Sequence, residues 1–501
     1  MDYVSPVIDG FGVAFQPAHL LYCLLGVTLG MFIGMLPGLG PAATIAVLLP
    51  ITYQIEPTAA IIMLAGIFYG AQYGGTVTSV LLRLPGEASS VVTAIDGHEL
   101  ARQGRAGSAL GIAAIGSFIG GTVAVIALTF VAPLVAGFAL DFGPSEYTAL
   151  ALLGILLITT LGTGSRVKSI LMATLGLLLA TVGQDPIDGA QRLTFGVDNL
   201  VDGIDFVIVA MGLFGVGEIL YNLESLRRGA PPAPSVGSVY PSRKDLGASK
   251  GAITRGSVLG FVLGILPGGG ATMSSMVAYG VEKKVAKEPE RFGKGAIEGV
   301  AGPETANNAA ATSSFIPLLS LGIPANATMA VMFGALLIQG ITPGPMLVEE
   351  NPDLFWGVVN SMYVGNLLLL AMSLPLIGLF VRILRIRPAI LAALTVVITM
   401  IGAYTINMSA FDMLLTVGLG VLGYLMKKTG FEPGPLVLAF VLGELLESSF
   451  RRSMRIFGGD LTGFLTQPIT AVLLAATVAV AVGPAVVRWS RRAGTKTTTD
   501  A

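Results

Sequence analysis

Long apolar segments alternate with short polar segments along the whole chain. A membrane-spanning helix needs about 20 predominantly apolar residues. The segments that come near this length are 18–36, 58–82, 108–140, 147–163, 169–183, 203–222, 256–281, 300–322, 325–342, 355–381, 388–406, 411–426, 434–449 and 468–489. Because several are short or interrupted, the pattern predicts an all-α polytopic membrane protein with about 10 to 12 transmembrane helices and further re-entrant or broken helices.

Glycine and proline interrupt one of the most apolar segments, GMLPGLGPAATIAVLLP, which runs from Gly34 to Pro50. Proline removes a backbone donor and glycine relaxes the backbone, so the segment leaves peptide groups unpaired. Such backbone is tolerated at membrane depth only where it lines a cavity or is covered by protein. Glycine can also serve simply for close helix packing.

A second segment of the same kind, GILPGGGATMSSMVAYG, occupies Gly264 to Gly280. At an offset of 230 positions, the residues of this segment that coincide with the same residue types in the first are Gly264, Leu266, Pro267, Gly268 and Gly270, and Ser274 coincides with Thr44. Each motif is followed by another polar, broken segment: YGGTVTSVLLRLPGEASS from Tyr73, and NNAAATSSFIPLLSLGIPAN from Asn307. We interpret the chain as two related transmembrane halves, 1–222 and 256–490, joined by a cytoplasmic linker, 223–255, and followed by a disordered tail, 491–501.

Basic residues mark the cytoplasmic side of a membrane protein. The second motif has Arg255 before it and Lys283 after it, whereas the first motif has no basic neighbours. This difference predicts that the two hairpins enter from opposite sides, as in an inverted repeat that holds its substrate near the bilayer midplane. Successive loops of a multi-pass protein alternate between the two sides of the membrane. This alternation places Arg451, Arg452 and Arg455 outside, against the rule, unless Pro435 to Ser449 is itself re-entrant.

Composition excludes several other classes of protein. Only 12% of the 501 residues are charged, whereas about 25% is usual, and the net charge of −1 gives no reason to expect nucleic acid as a partner. Cys23 is the single cysteine, so an internal disulfide or a thiolate metal cluster is excluded. The N-terminus lacks the pattern of a removable signal peptide, and no GxxxxGK[ST] phosphate loop is present.

The two breaks are the candidate binding site. Helices that restart near Pro41 and Ala271 would present free amides and a positive dipole end to an anion. The predicted substrate-binding residues are Gly38, Gly40, Thr44, Gly75, Thr76, Gly268, Gly269, Gly270, Thr272, Ser274, Asn307, Asn308, Thr312 and Asn326. A candidate cation site is placed near Pro37, Pro267, Glu304 and Ser313, and Glu87 and Glu304 are the carboxylates proposed for cation or proton coupling. Alternatively, each of these two glutamates only ends a helix at the membrane interface. Asn307 and Asn308 can instead cap a helix or form a hydrogen bond between helices.

At these residues the sequence resembles the large membrane subunit of the tripartite tricarboxylate transporters, the TctA family. The resemblance rests on four stretches: GMLPGLGPAATIAVLLPITY; YGGTVTSVLLRLPGEASSVVTAIDGHELARQGRAGSAL; GILPGGGATMSSMVAYGVEK; and GVAGPETANNAAATSSFIPLLSLGIPANATMAVMFGALLIQGITPGP. It implies a multi-pass protein of the bacterial inner membrane that works with a small four-helix membrane subunit and a periplasmic solute-binding protein. The imported substrate would be a small-molecule carboxylate such as citrate.

The function expected from the residues and the resemblance together is secondary active uptake of di- or tricarboxylates by alternating access. The coupled cation is expected to be Na⁺ in preference to H⁺, with no other cofactor. A passive anion channel is the alternative, since broken loops also build filters. An intramembrane hydrolase is a remote one: FGGD, Phe457 to Asp460, is faintly similar to an aspartyl protease motif, but no second membrane aspartate completes a dyad. We therefore expect a transporter and not an enzyme.

Overall fold

The computed structural model describes residues 4–36, 39–84, 86–161, 165–185, 188–226, 236–383 and 388–496. The helices are α1 (Val4–Ala14), α2 (Pro17–Gly34), α3 (Pro41–Thr52), α4 (Pro57–Leu82), α5 (Thr93–Arg102), α6 (Ala106–Ala139), α7 (Pro144–Leu161), α8 (Arg166–Ala180), α9 (Phe206–Ala210), α10 (Gly217–Leu226), α11 (Arg243–Ile265), α12 (Gly270–Val285), α13 (Glu298–Ser313), α14 (Phe315–Leu321), α15 (Ala327–Ile338), α16 (Leu347–Glu350), α17 (Pro352–Ile383), α18 (Pro388–Asn407), α19 (Ala410–Lys428), α20 (Pro433–Ile456), α21 (Gly463–Thr466) and α22 (Pro468–Lys496). A π-helical segment, Met211–Val216, joins α9 to α10, and 3₁₀ turns cover Ala88–Ser90, Asp198–Leu200 and Pro289–Arg291. Two short antiparallel strands, β1 (Gly183–Gln184) and β2 (Gln191–Arg192), form one hairpin.

The prediction of an all-α polytopic membrane protein is confirmed. Among the described residues, seven helices are long and apolar enough to cross a membrane. They are Pro17–Gly34, Pro57–Leu82, Ala106–Ala139, Phe206–Glu224, Pro352–Leu376, Ala410–Lys428 and Pro433–Ile456. Shorter apolar helices such as Pro41–Thr52 and Ala327–Ile338 accompany them, and the total number of crossings stays a prediction.

The chain divides into two compact units. The first contains Met1–Leu140 and Ile204–Pro433, and the second contains Asp141–Gly203 and Gly434–Ala501. Both glycine motifs and all predicted site residues belong to the first unit.

In the first unit, two pairs of helices cross so closely that their backbones are in contact. In the first pair, α2 packs on α4, and a Cβ built at Gly30 would lie 2.4 Å from the carbonyl oxygen of Ile67. In the second pair, α11 packs on α13, and a Cβ built at Gly260 would lie 2.3 Å from the carbonyl oxygen of Ala306. Small residues allow such close approach between membrane helices. Gly26 and Gly34 in α2, and Gly256 and Gly264 in α11, extend each contact one turn in both directions.

The last part of the predicted linker, 243–255, is helical. Ser242 and Asp245 form a capping box that starts α11, because each side chain accepts a hydrogen bond from the other residue's backbone N–H. Arg105 adds an ion pair to Asp245 at 2.6 Å. Burial disfavours the charged form of Asp245, but the bonds from Ser242 and Arg105 outweigh this cost and hold the pKa of the carboxyl below its usual range. Residues 227–235 lie outside the described part of the chain.

An ion-pair cluster in the second unit contains one of the basic residues that conflict with the positive-inside rule. Arg451 donates to both oxygens of the buried Asp185 at 3.0 Å, and Arg192 bonds to Asp185 and to Glu447. The alternative of a re-entrant Pro435 to Ser449 is wrong, because α20 is one continuous helix. The carboxylates stabilise Arg451 in place, but the side of the membrane on which it lies stays a prediction, because acidic residues weigh little in the rule.

Other predictions for the C-terminal part have mixed outcomes. The tail was predicted to be disordered from 491, but α22 continues to Lys496, and 497–501 lie outside the described residues. Asp460 of the FGGD stretch is exposed and accepts bonds from the Thr462 N–H and hydroxyl at 2.8 and 2.7 Å. These bonds are the pattern of a turn, which matches a loop role for this aspartate.

Candidate functional site

The first motif is a break between two helices. The helix α2 ends at Gly34, and α3 begins at Pro41 with Gly40 as its N-cap, as the sequence predicted. The Thr44 hydroxyl and its N–H both bond to the carbonyl oxygen of Gly40 at 3.0 Å. Pro37 and Gly38 lie outside the described residues.

The second motif repeats this arrangement. The helix α11 ends at Ile265, and α12 begins at Gly270, one residue before the predicted restart. The Ser274 hydroxyl donates to the carbonyl oxygen of Gly270 at 2.7 Å, which is the bond that Thr44 makes in the first motif. In the turn between these helices, the Gly268 N–H donates to the carbonyl oxygen of Ala325 at 2.8 Å.

Each break lies against a polar residue that follows a proline two positions earlier in the sequence. The two stretches are LPGE, ending at Glu87, and IPAN, ending at Asn326. A Cβ built at Gly40 would lie 3.9 Å from Cβ of Glu87, and one built at Gly270 would lie 3.5 Å from Cβ of Asn326. The two breaks therefore have matching neighbours, but one neighbour is a carboxylate and the other is a neutral amide.

Glu304 is a fully buried carboxylate at the centre of the first unit. It lies in α13, and it accepts hydrogen bonds from the hydroxyls of Thr76 at 2.6 Å and Thr93 at 2.5 Å. Thr76 belongs to α4 and Thr93 begins α5, so three helices meet at this one side chain. Hydrogen bonds to an ionised group are stronger than those to a neutral one, which favours this arrangement for a carboxylate.

Glu87 lies beside Glu304 with polar partners of its own. Its carboxylate accepts bonds from the Ser89 hydroxyl and from Asn307 Nδ2, the latter at 3.4 Å. In the orientation that satisfies both ends of its amide, Gln72 donates to Oε2 of Glu87 at 2.6 Å and to Oδ1 of Asn307 at 2.9 Å. Asn307 is three residues from Glu304 in the same helix, so the two carboxylates share one polar cluster. We call Gln72, Thr76, Glu87, Ser89, Thr93, Glu304 and Asn307 the carboxylate cluster.

No lysine or arginine neutralises this cluster in the part of the chain that the structure describes. An ionised carboxylate in a protein interior is costly unless it is paired. Two of them close together make the cost larger, since like charges oppose each other's ionisation. The cluster can therefore lower its energy by taking up a cation or a proton.

The second motif contacts the carboxylate cluster directly. The Ser275 hydroxyl, in the first turns of α12, donates to the carbonyl oxygen of Ser89 at 2.7 Å. Ser89 is two residues from Glu87, which lies against the first break. This contact brings α12 and the segment that follows α4 together, although they are far apart in the sequence.

The structure sorts the predicted site residues into separate groups. Near the first break, Gly40 is the N-cap of α3, Thr44 lies in the first turns of that helix, and Gly75 contacts Glu87. The second break contains Gly268 and Gly269, and α12 contains Gly270, Thr272 and Ser274, with Asn326 against Gly270. Thr76 and Asn307 belong to the carboxylate cluster. Asn308 points elsewhere, donating to the Ser117 hydroxyl of α6 at 2.7 Å, and the buried Thr312 is one turn further along α13.

Two residues of the predicted cation site, Glu304 and Ser313, lie too far apart to bind the same ion. Glu304 and Ser313 are nine residues apart in α13, which separates them by about 13.5 Å along the helix axis. One ion therefore cannot contact both side chains. Ser313 instead lies at the close crossing of α11 and α13, where a Cβ built at Gly264 would lie 2.2 Å from its hydroxyl.

Sequence reasoning missed Gln72, Ser89, Thr93 and Asp96. Asp96 lies in the polar stretch DGHELARQGR, which looks like an exposed loop, yet its side chain is completely buried. A polar residue inside a long apolar segment was the available signal for Gln72. Nothing in the local sequence distinguishes Thr93 from a helix-starting threonine.

The chain is similar to known proteins over most of its length. The model of the "Tripartite tricarboxylate transporter TctA family" matches residues 20–438. An uncharacterized 52.8 kDa protein in the TAR-I ttuC' 3'region of Agrobacterium vitis is 50% identical over 482 residues, which are 96% of each chain. An uncharacterized protein in the TAR-II ttuC' 3'region of the same organism is 54% identical over 215 residues, 43% of this chain and 89% of that protein. No solved structure matches the chain.

Proposed function

The chain belongs to the tripartite tricarboxylate transporter TctA family, and we propose that it imports a di- or tricarboxylate together with a cation as the large subunit of a secondary carrier. Its partners would be a small four-helix membrane subunit and a periplasmic solute-binding protein, and its location would be the bacterial inner membrane. The observation that carries the proposal is the meeting of two broken-helix motifs at a buried carboxylate cluster that has no basic partner among the described residues.

The breaks are proposed to hold the anion. Gly40 and Gly270 are the points where α3 and α12 begin, and the first N–H groups of a helix lack partners within the helix. The amide N–H groups of Asn326 can donate to a carboxylate. The hydroxyls of Thr44 and Ser274 can do so by exchanging the bonds that they make to backbone carbonyl oxygens for a bond to the substrate. A buried arginine is not needed, because amides and hydroxyls supply the donors.

The carboxylate cluster is proposed to hold the co-transported cation, Na⁺ in preference to H⁺. Carboxylate, hydroxyl and amide oxygens are hard ligands, and Glu304, Glu87, Asn307 and the threonines supply all three kinds. The cation would offset part of the charge of the substrate. Two similar halves that contribute one break each, from opposite sides, would allow alternating access to the bound pair.

Reconstituted uptake tests the proposal. Purified chain is placed in proteoliposomes with the proposed small membrane subunit, and the proposed solute-binding protein is added outside. Radiolabelled succinate, malate and citrate are offered with a Na⁺ gradient or a pH gradient imposed separately. We expect saturable uptake of at least one acid that requires the binding protein and an inward cation gradient. Uptake that runs down the substrate gradient alone, without saturation, would indicate a channel instead.

Removing a hydroxyl at the second break is expected to weaken substrate use moderately. A neutral hydrogen bond is worth roughly 0.5 to 1.5 kcal/mol, so Ser274→Ala should raise KM for the transported acid by about 2-fold to 12-fold. The matched control is Ser257→Ala, since Ser257 makes the same bond to the carbonyl four residues earlier, but inside α11. Thr44→Ala is measured alongside. If both site variants keep the KM of the wild type, the proposed substrate site is wrong. Asn308→Ala is measured too and should keep that KM, because Asn308 donates to the Ser117 hydroxyl, away from the breaks.

A further inference from the structure

Asp96 is a buried acid outside the carboxylate cluster, and both of its carboxylate oxygens accept hydrogen bonds. It lies in α5, one turn after Thr93, and its side chain is completely buried. One oxygen accepts bonds from the backbone N–H groups of Gly293 and Gly295 at 2.8 Å and of Ala296 at 2.9 Å. The other oxygen accepts a bond from the Tyr279 hydroxyl at 2.8 Å.

Three of these four donors come from the segment that connects α12 to α13, and the fourth comes from α12 itself. Tyr279 is in α12, and the three N–H groups lie just before Glu298, the first residue of α13. Gly293 and Gly295 have φ values of +86° and +98°, which residues with a Cβ rarely adopt. The two glycines let the chain turn its N–H groups inward. The loop before α13 therefore wraps around an acid that lies 197 positions before Gly293 in the sequence.

The short helix α5 thus contacts α13 at two points. Thr93 donates a hydrogen bond to Glu304 in the middle of α13, and Asp96 accepts hydrogen bonds from the residues that come just before α13. Glu304 is six residues after Glu298, so a shift at the start of α13 moves it relative to Thr76 and Thr93. Sites that bind ions depend on outer residues of this kind to hold the ligands in place.

We infer that Asp96 is a positioning residue for the coupled cation: by fixing the start of α13, it holds Glu304 against Thr76 and Thr93. This inference rests on the proposed function, because it takes Glu304 as a part of the cation site. Asp96 itself touches neither the substrate nor the cation.

The test is the cation dependence of uptake in the reconstituted complex with Asp96→Asn. The amide keeps the size of the side chain, but it offers only one acceptor and turns a donor toward existing donors. The K0.5 for the driving ion, Na⁺ or H⁺ as the wild type shows, should rise by about tenfold to a hundredfold. At saturating ion, KM for the transported acid should stay within about twofold. An unchanged K0.5, or an equal rise of K0.5 and KM, would overturn the inference.

A second variant decides the matter if Asp96→Asn does not fold. Gly293→Ala strains the loop at its positive φ, while the added Cβ has room, since the nearest atom beyond its chain neighbours is 3.9 Å away on Ile95. Its control is Gly340→Ala, which has φ of +74° and no atom within 4 Å of the added Cβ. A raised K0.5 for Gly293→Ala with a normal value for Gly340→Ala supports the inference, and normal values for both refute it. Wild-type uptake that ignores both ion gradients would refute the proposed function instead.

Discussion

Glu304→Gln is expected to lower gradient-driven uptake by about 100-fold. Glu304 accepts two hydroxyl bonds in a fully buried position, and bonds to a charged group contribute roughly 1.5 to 3 kcal/mol each. The amide keeps the shape of the side chain but loses the charge that would hold the cation. A loss of about 3 kcal/mol corresponds to roughly 100-fold in affinity. The initial rate of uptake in proteoliposomes measures the effect.

The matched control is Glu298→Gln on the same helix. Glu298 begins α13, and its ion pair with Arg291 lies near the surface, at 3.3 Å. Exposed ion pairs contribute about 1 kcal/mol or less, so this variant should transport at a rate close to that of the wild type. Gradient-dependent uptake that survives in Glu304→Gln would remove Glu304 from the coupling mechanism, although the family assignment would stand.

Gly260→Val is expected to prevent the first unit from folding. The added Cβ would lie 2.3 Å from the carbonyl oxygen of Ala306 and 2.8 Å from its Cα. Backbone atoms cannot move aside as the end of a flexible side chain can, so α11 and α13 would have to separate. Overpacking costs roughly 1 to 3 kcal/mol in soluble cores, and occasionally more, and a forced helix separation belongs at the upper end. The yield of monodisperse protein in detergent and its Tm report the effect.

Gly280→Val is the control for this substitution. Gly280 lies in the next helix, α12, and no atom is found within 4 Å of a Cβ built there. Valine is at least as favourable as glycine in a helix, so the yield and the Tm of this variant should match those of the wild type. Equal behaviour of the two variants would contradict the close crossing of α11 and α13.

The cation site shows why residue type alone is not enough to predict a site. From the sequence, Glu304 and Ser313 both look suitable as cation ligands, because each is a polar residue in an apolar segment. They lie at different heights of one helix, and the rise per residue places them too far apart for one ion. Asn307 and Asn308 are neighbours in sequence, but successive residues of a helix point about 100° apart. One therefore reaches Glu87, and the other reaches Ser117.

The sequence by itself determined the all-α membrane class, the family and the positions of both helix breaks. These properties depend on local features: the length of an apolar segment, the missing N–H of proline and the freedom of glycine. Only the tertiary structure decided that Thr76 and Thr93 meet Glu304, and that Asp96 holds the start of α13. These residues are about 200 positions apart in the chain, and their contacts follow from how whole helices pack, which no local pattern encodes.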